Sequence, residues 1–379
     1  FRVDTVKHVE DTTWMAFKNA LTQKVPEFKL IGESWGAGFK DDHGYLNAGM
    51  MDSLLDFDFK YQAADFVKGN ITKVERDLKE RNEKLTNTAT LGQFLGSHDE
   101  PGFLYQFEDD DDKLGKLMVA ASLQITAKGQ PVIYYGEELG LYGDNNYPYY
   151  DNRYNMDWDK VGGNPVHEHY RKVLKARNEY SKVFSKGTRK MLEGSDQLGY
   201  SIFERAYGEE VAIVGLNTKN EAQNLSFDVP FKAGTTVKDV YSGENLTVGE
   251  DRKITITLPG MQDGGTFILV GETEEQDPPQ IDDIQENHLR IHYQRTDGDY
   301  TDLGVWIWGD VKTPSENWPT GGTPFKEQLT DYGAYVDIEL KENPSKIGFL
   351  VLNVTTGDKD EGNNGGDKEV EIFSPEINE

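Results

Sequence analysis

Across residues 1–185 the chain alternates short apolar runs with amphipathic stretches of helical period, a rhythm that admits few folds. Phe1-Arg2-Val3-Asp4 reads as the end of a strand. A helix follows over 11–24, with Asp11 as its cap and Trp14, Phe17 and Leu21 on one face. Pro26 ends it, and Phe28–Gly32 forms the next strand, delivering Glu33. Leu54–Phe59 fits a third strand, 62–84 a charged helical stretch, and Leu91–Gly96 a fourth strand that delivers His98 and Asp99. The segment 113–128 is a helix with Leu114, Leu117, Met118 and Ala121 on one face, stopped by Gly129. Pro131–Tyr135 is a fifth strand, followed by a helix near 166–182. Alternation of this kind predicts a parallel sheet flanked by helices.

The character changes after residue 188. Leu198–Arg205, Val211–Leu216, Ile254–Leu258 and Thr266–Val270 are short β-rich segments separated by Gly, Asn and Asp turns, the pattern of an antiparallel sandwich. From 273 to 287 the chain is acidic and holds Pro278-Pro279, which reads as a linker, and 288–379 is a further all-β unit. The predicted domains are therefore 1–188, 189–272 and 288–379. There is no cysteine, which excludes a disulfide framework, a thiol nucleophile and a thiolate metal site. The formal charge of −27 argues against nucleic acid or an anionic membrane as partner and suits a neutral ligand. No apolar run approaches the roughly 20 residues that span a bilayer.

Asp4, Glu33 and Asp99 each fall at or just after the C-terminal end of a predicted parallel strand, where the loops of a β/α barrel converge on a mouth. A lone acidic residue there is most often a helix cap or a solvated charge; three together suit glycosidic cleavage, which needs one carboxylate and one carboxylic acid. Arg2, two residues before Asp4, would hold that aspartate ionised. Gly32 and Trp35 give Glu33 an apolar setting that favours the acid form. His98 can bond sugar hydroxyls with a neutral ring.

Four stretches in order resemble the α-amylase family, glycoside hydrolase family 13. Phe1–His8 resembles its fourth-strand motif, Ile31–Trp35 its fifth, Phe94–Asp99 its seventh and Gly129–Glu138 its eighth strand. The resemblance covers about residues 1–160 and implies a partial (β/α)8 TIM barrel, strands four to eight. It makes Asp4 the nucleophile, Glu33 the acid/base and Asp99 the transition-state stabiliser. Arg2 and His98 would assist, Lys7 and His8 would line the aglycone side, and Trp35 and Arg153 would lie in the substrate cleft. The family's first three strand–helix units would be a partner to this chain, and without them the half-barrel would be inactive. The family also implies structural calcium, an extracellular bacterial setting and α-glucans as partners: starch, glycogen or pullulan-like polymers. Internal α-1,4 hydrolysis with retention is the leading expectation. An enzyme that also cuts α-1,6 links, a transglycosylase, and a glucan-binding protein without catalysis are the rivals.

In Val305-Trp306-Ile307-Trp308 strand alternation puts the two tryptophans on one face and the aliphatics on the other. Such a pair is either core or a platform for sugar rings. Residues 288–376 resemble a family 41 carbohydrate-binding module through Leu289–Tyr293, Gly298–Tyr300, Val305–Val311 and Ile347–Phe349. That resemblance implies stacking by Trp306 and Trp308 and hydroxyl bonds from Lys359 and Asp367. Some modules of this type carry a third tryptophan shortly before the lysine. The stretch Asn353–Asp358 holds none here, and Trp318 is a substitute to consider. The run Glu108–Asp112 reads as a solvated helix start, with calcium binding the rival.

Overall fold

The computed structural model describes residues 1–46, 49–85, 90–273, 284–285, 287–295, 300–326, 333–360 and 367–372. The chain forms two compact units, 1–274 and 275–379. The linker expected at 273–287 and the Gly298-Asp299 part of one motif fall largely outside the described residues.

In the first unit β1 (Arg2–Val3), β2 (Ile31–Gly32), β3 (Ser53–Asp56), β4 (Thr90–Gln93) and β5 (Gln130–Pro131) form one parallel sheet in sequence order. Helices α1 (Asp11–Lys24), α2 (Phe57–Val67), α3 (Ile71–Lys84), α4 (Lys113–Thr126), α5 (Pro165–Glu179) and α6 (Ser181–Lys186) run between and after these strands. This is a fragment of a β/α barrel. Several details differ from the sequence reading: the fourth strand is Thr90–Gln93 and the fifth only Gln130–Pro131, and the last helix is two, Pro165–Glu179 and Ser181–Lys186. Asp11 lies inside the first turn of α1, and Glu10 is the flanking residue, without a side-chain cap. The run Leu54–Phe59 leaves extended structure at Asp56 and turns straight into α2, because an apolar run that short suits strand and buried helix equally. The charged stretch is two helices, broken at Gly69. Phe17 and Leu114 are exposed, while Trp14, Leu117, Met118 and Ala121 are buried as expected.

The strand-rich segment continues the same unit. β6 (Thr188–Ser195), β7 (Tyr200–Tyr207), β8 (Glu210–Asn217), β10 (Thr236–Asp239), β11 (Asn245–Thr247) and β13 (Thr266–Val270) make an antiparallel sheet. β9 (Gln223–Asp228) pairs with β12 (Lys253–Leu258), and the apolar residues of both sheets, among them Phe227, Ile254 and Phe267, share a core. A second, larger core joins α2–α6 to the opposite face of the sheet through Phe203, Val214 and Ile268. Across that seam Arg189 donates to both oxygens of Glu75 at 2.7 and 2.9 Å, and the Ser201 hydroxyl donates to Glu75 at 2.6 Å.

The second unit pairs β14 (His288–Tyr293) with β17 (Ala334–Glu339). Its other sheet runs β16 (Thr323–Pro324), β15 (Leu303–Gly309), β18 (Lys346–Asn353), β19 (Lys368–Glu371). Val305, Ile307, Ile291, Val336 and Ile347 fill its core.

Candidate active site and glucan surface

The parallel register pairs Val3 with Gly32, so Asp4 and Glu33 occupy the next positions along two adjacent strands. Neighbouring strands lie about 4.8 Å apart, which sets the backbones of these two residues side by side at the carboxyl end of the sheet. The backbones interlock there: the Glu33 amide donates to Val3 O at 2.7 Å and the Val6 amide to Glu33 O at 2.8 Å. Asp4 is exposed and ion-paired with Arg2 at 2.7 Å. Glu33 is buried, and its Oε2 accepts the Thr5 amide at 2.9 Å. Its Oε1 is also buried and has no hydrogen-bond partner among the described residues. Lys7 reaches across to Trp35 O at 3.4 Å, and His8 is exposed beside it.

Asp99 lies on the loop after β4. His98 Nε2 stands 2.8 Å from one carboxylate oxygen and the Arg153 guanidinium 3.0 Å from the other. Four successive carbonyls of this loop accept side-chain donors from the segment 145–153. Asn152 donates to Ser97 O (3.0 Å) and Glu100 O (2.9 Å), Arg153 to His98 O (3.0 Å), and Asn145 to Asp99 O (2.6 Å). Asn152 is fully buried, and its own carbonyl accepts the Tyr134 hydroxyl at 3.0 Å. Next to Asp99, buried Glu100 pairs with Lys60 of α2, whose ammonium burial pushes down to about 8.

An aromatic run links the two carboxylate groups. The Trp35 ring lies 5.1 Å from Phe57 and the Phe57 ring 5.1 Å, edge to face, from Phe94. These side chains follow β2, β3 and β4 in turn, so the acid loop and the Asp99 loop share one apolar floor. Trp35 itself is 45% exposed, the usual state of a ring that can meet a ligand. The sequence reading gave no role to Asn145, Asn152 or Phe57. The two asparagines act across 46 to 55 residues, where no local period could flag them.

No group of three or more His, Asp or Glu stands close enough to hold a metal ion among the described residues. In the acidic run, Asp110 and Asp112 both pair with Lys116, at 2.5 and 2.7 Å.

In the second unit Val305 and Ile307 are buried, while Trp306 and Trp308 are half-buried on the other face of β15. Lys359 and Asp367 stand 3.4 Å apart.

Comparison with known proteins fits this geometry. The α-amylase catalytic-domain family matches residues 1–197, and the bacterial pullanase-associated domain matches 287–378. Pullulanase A of Streptococcus pneumoniae serotype 2 is 36% identical over 167 residues, 43% of this chain and 12% of that protein. The cyclomaltodextrinase of Geobacillus thermopakistaniensis is 25% identical over 270 residues, 68% of this chain and 43% of that protein. The chain thus spans under half the length of either relative. The solved α-amylase of Anoxybacillus overlays 72% of this chain and 58% of its own with a TM-score of 0.57 at 23% identity, a likeness of fold.

Proposed function

As the chain belongs to the family of α-amylase catalytic domains, we propose that it cleaves internal α-1,4 links of starch and related α-glucans by double displacement. The observation that carries this reading is the adjacent placement of Asp4 and Glu33. Retaining glycosidases hold their two carboxyl groups about 5–5.5 Å apart, with the anomeric carbon between them. Asp4 attacks that carbon while Glu33 gives its proton to the departing glycosidic oxygen. A covalent glycosyl ester on Asp4 results. Glu33, now a carboxylate, takes a proton from water, whose oxygen displaces Asp4 and restores the starting configuration. The free Oε1 of Glu33 suits the proton transfer, since no protein donor occupies it. Asp99 and His98 engage the sugar undergoing substitution, and Arg153 acts on Asp99. Lys7, His8 and Trp35 lie towards the leaving chain.

The unit 275–379 holds the enzyme on its polymer through Trp306 and Trp308, raising local substrate concentration. A polymer too large to enter a cell places the reaction outside it. A second reading, cleavage of α-1,6 links as well, is favoured by the match of 287–378 to the pullanase-associated domain.

Product analysis of the full-length protein on soluble starch and on pullulan tests both readings. Maltooligosaccharides from starch with pullulan untouched support the first. Maltotriose from pullulan moves the assignment to the second, and no product from either leaves a glucan-binding protein.

A further inference from the structure

The loop that carries Asp99 is gripped from two sides. On one, Asn145, Asn152 and Arg153 bond its carbonyls, and the Gly102 amide donates to Gly143 O at 3.0 Å. On the other, Glu100 is ion-paired with Lys60 of α2. The Lys60 and Glu100 side chains are 12% and 8% exposed, so water does little to replace either partner. Glu100 follows Asp99 directly, and the pair therefore acts on the backbone that aims Asp99. The proposed reaction does not use it.

Lys60 stands on the first turn of α2, and that turn also meets the loop of Glu33. The helix starts straight from β3 at Asp56, so the sheet fixes where the turn lies. There the Phe57 amide donates to Ala37 O at 2.9 Å, and the Phe57 ring lies 5.1 Å from both Trp35 and Phe94. Asp58 rests against Gly38, where an added Cβ would fall 3.1 Å from the Asp58 Cβ. Residues three apart lie on one helix face, which places Phe57 and Lys60 together. One helical turn thus touches the acid loop through Phe57 and Asp58, and the Asp99 side through Phe57 and Lys60.

A buried ion pair is a poor way to gain stability, since packed apolar side chains of similar volume often serve as well or better. What it adds is direction, because charge-assisted bonds hold a preferred length and angle. We propose that Lys60 is a positioning residue for glycosidic cleavage, acting through Glu100 to fix where Asp99 stands relative to Glu33. The first turn of α2 is the common bracket for the two. The inference rests on the hydrolytic reading of this site. In that reading Asp99 engages the sugar undergoing substitution whatever the leaving group is. Glu33 is needed as an acid only when the leaving group is a poor one. A fault in the aim of Asp99 and a fault at Glu33 are thereby told apart.

The test measures kcat and KM of the full-length protein on maltoheptaose and on nitrophenyl maltotrioside, whose phenolate departs without a proton. Lys60→Met combined with Glu100→Gln removes the tie and strands no charge, so the melting temperature should stay close to the original. The kcat of this double variant is expected to fall about tenfold on both substrates with KM little changed, the mark of a fault felt in the transition state. Glu33→Gln, by contrast, should lose turnover on maltoheptaose and still release the phenolate in a first-turnover burst. If the unchanged protein turns over neither substrate, the hydrolytic reading itself falls. A double variant with the original melting temperature and the original kcat overturns the inference. So does a loss confined to maltoheptaose, which would place the fault at Glu33. Should the double variant melt early, Glu100→Gln alone, isosteric with the native side chain, gives the deciding measurement: the same fall on both substrates is expected, and an unchanged kcat overturns the inference.

Discussion

Arg153 and Asp99 form a 3.0 Å ion pair, and the same guanidinium donates to the carbonyl of His98, so one side chain fixes both the charge and the backbone of this loop. Both side chains are about two-fifths exposed, and a pair so placed contributes little to stability, on the order of 0–1 kcal/mol. Its value lies in aim. A displacement of about 1 Å at a reacting group can cost about 100-fold in rate. Arg153→Ala is therefore expected to lower kcat by about that factor with little change in melting temperature. Steady-state kinetics beside a thermal melt decide the matter. A variant that loses stability in step with activity would make Arg153 a structural residue only.

Asn152 makes a contrasting case, because it is buried and bonds two carbonyls. Asn152→Asp keeps the shape but turns a donor into an acceptor facing Ser97 O and Glu100 O. Each buried group left without its donor costs about 1–3 kcal/mol, so stability and kcat should both fall. Denaturant unfolding of this variant with an unchanged midpoint would show that the clamp carries no energy.

Glu33→Gln keeps an oxygen for the Thr5 amide and removes the transferable proton. Turnover should drop by about 10²–10⁴, the usual worth of general acid catalysis, with glucan binding retained. Residual hydrolysis above a tenth of the original rate would take Glu33 out of the acid role.

The parts of this arrangement visible in sequence are those with a local signature. The helices at 11–24 and 113–126 announce themselves by period and by their stops, Pro26 and Gly129. Asp4 and Glu33 follow directly on β1 and β2, a local pattern of short strand and acid, whereas Asp99 stands on the loop well beyond the end of β4. The boundary at Phe57 was not legible, since Leu54–Phe59 carries no turn residue to mark where strand gives way to helix. Strands β6, β9, β10 and β11 also escaped; β9, β10 and β11 are short and exposed on alternate positions. The hold of 145–153 on the Asp99 loop belongs to the same class. It is made of side-chain to carbonyl bonds that leave no period behind.

Glu75 and Arg189 tie helix α3 to strand β6 with both side chains almost fully buried. Removing one partner strands the other charge, at a cost of about 3–5 kcal/mol. Glu75→Ala should lower the unfolding free energy by that amount. A double replacement, Glu75→Leu with Arg189→Met, should recover most of it, because no unpaired charge then remains. A double variant no more stable than Glu75→Ala would show that the pair contributes through specific geometry.

Two buried groups bend the stability of the first unit with pH in opposite senses. His169, hydrogen-bonded to Ser122 at 2.9 Å and Tyr241 at 2.8 Å, is pushed by burial from an ordinary 6.5 down to about 3. Between those values the unfolded chain binds a proton that the folded chain refuses, so stability falls as pH falls. Glu137 is pushed by burial from 4.5 up to about 8, partly opposed by the bond it accepts from Tyr170 at 2.9 Å. Between those values the folded chain keeps a proton that the unfolded chain releases, so stability falls as pH rises. Above about 6.5 Glu137 acts alone, and below about 4.5 His169 acts alone; in the interval their slopes oppose. Glu137→Gln should therefore flatten the decline of the melting temperature from pH 6.5 to 8. It should leave the acid side as it was, where ion-paired carboxylates such as Asp52 add to the loss. A melting profile with the same alkaline slope in Glu137→Gln and in the unchanged protein would mean that Glu137 is already ionised when folded.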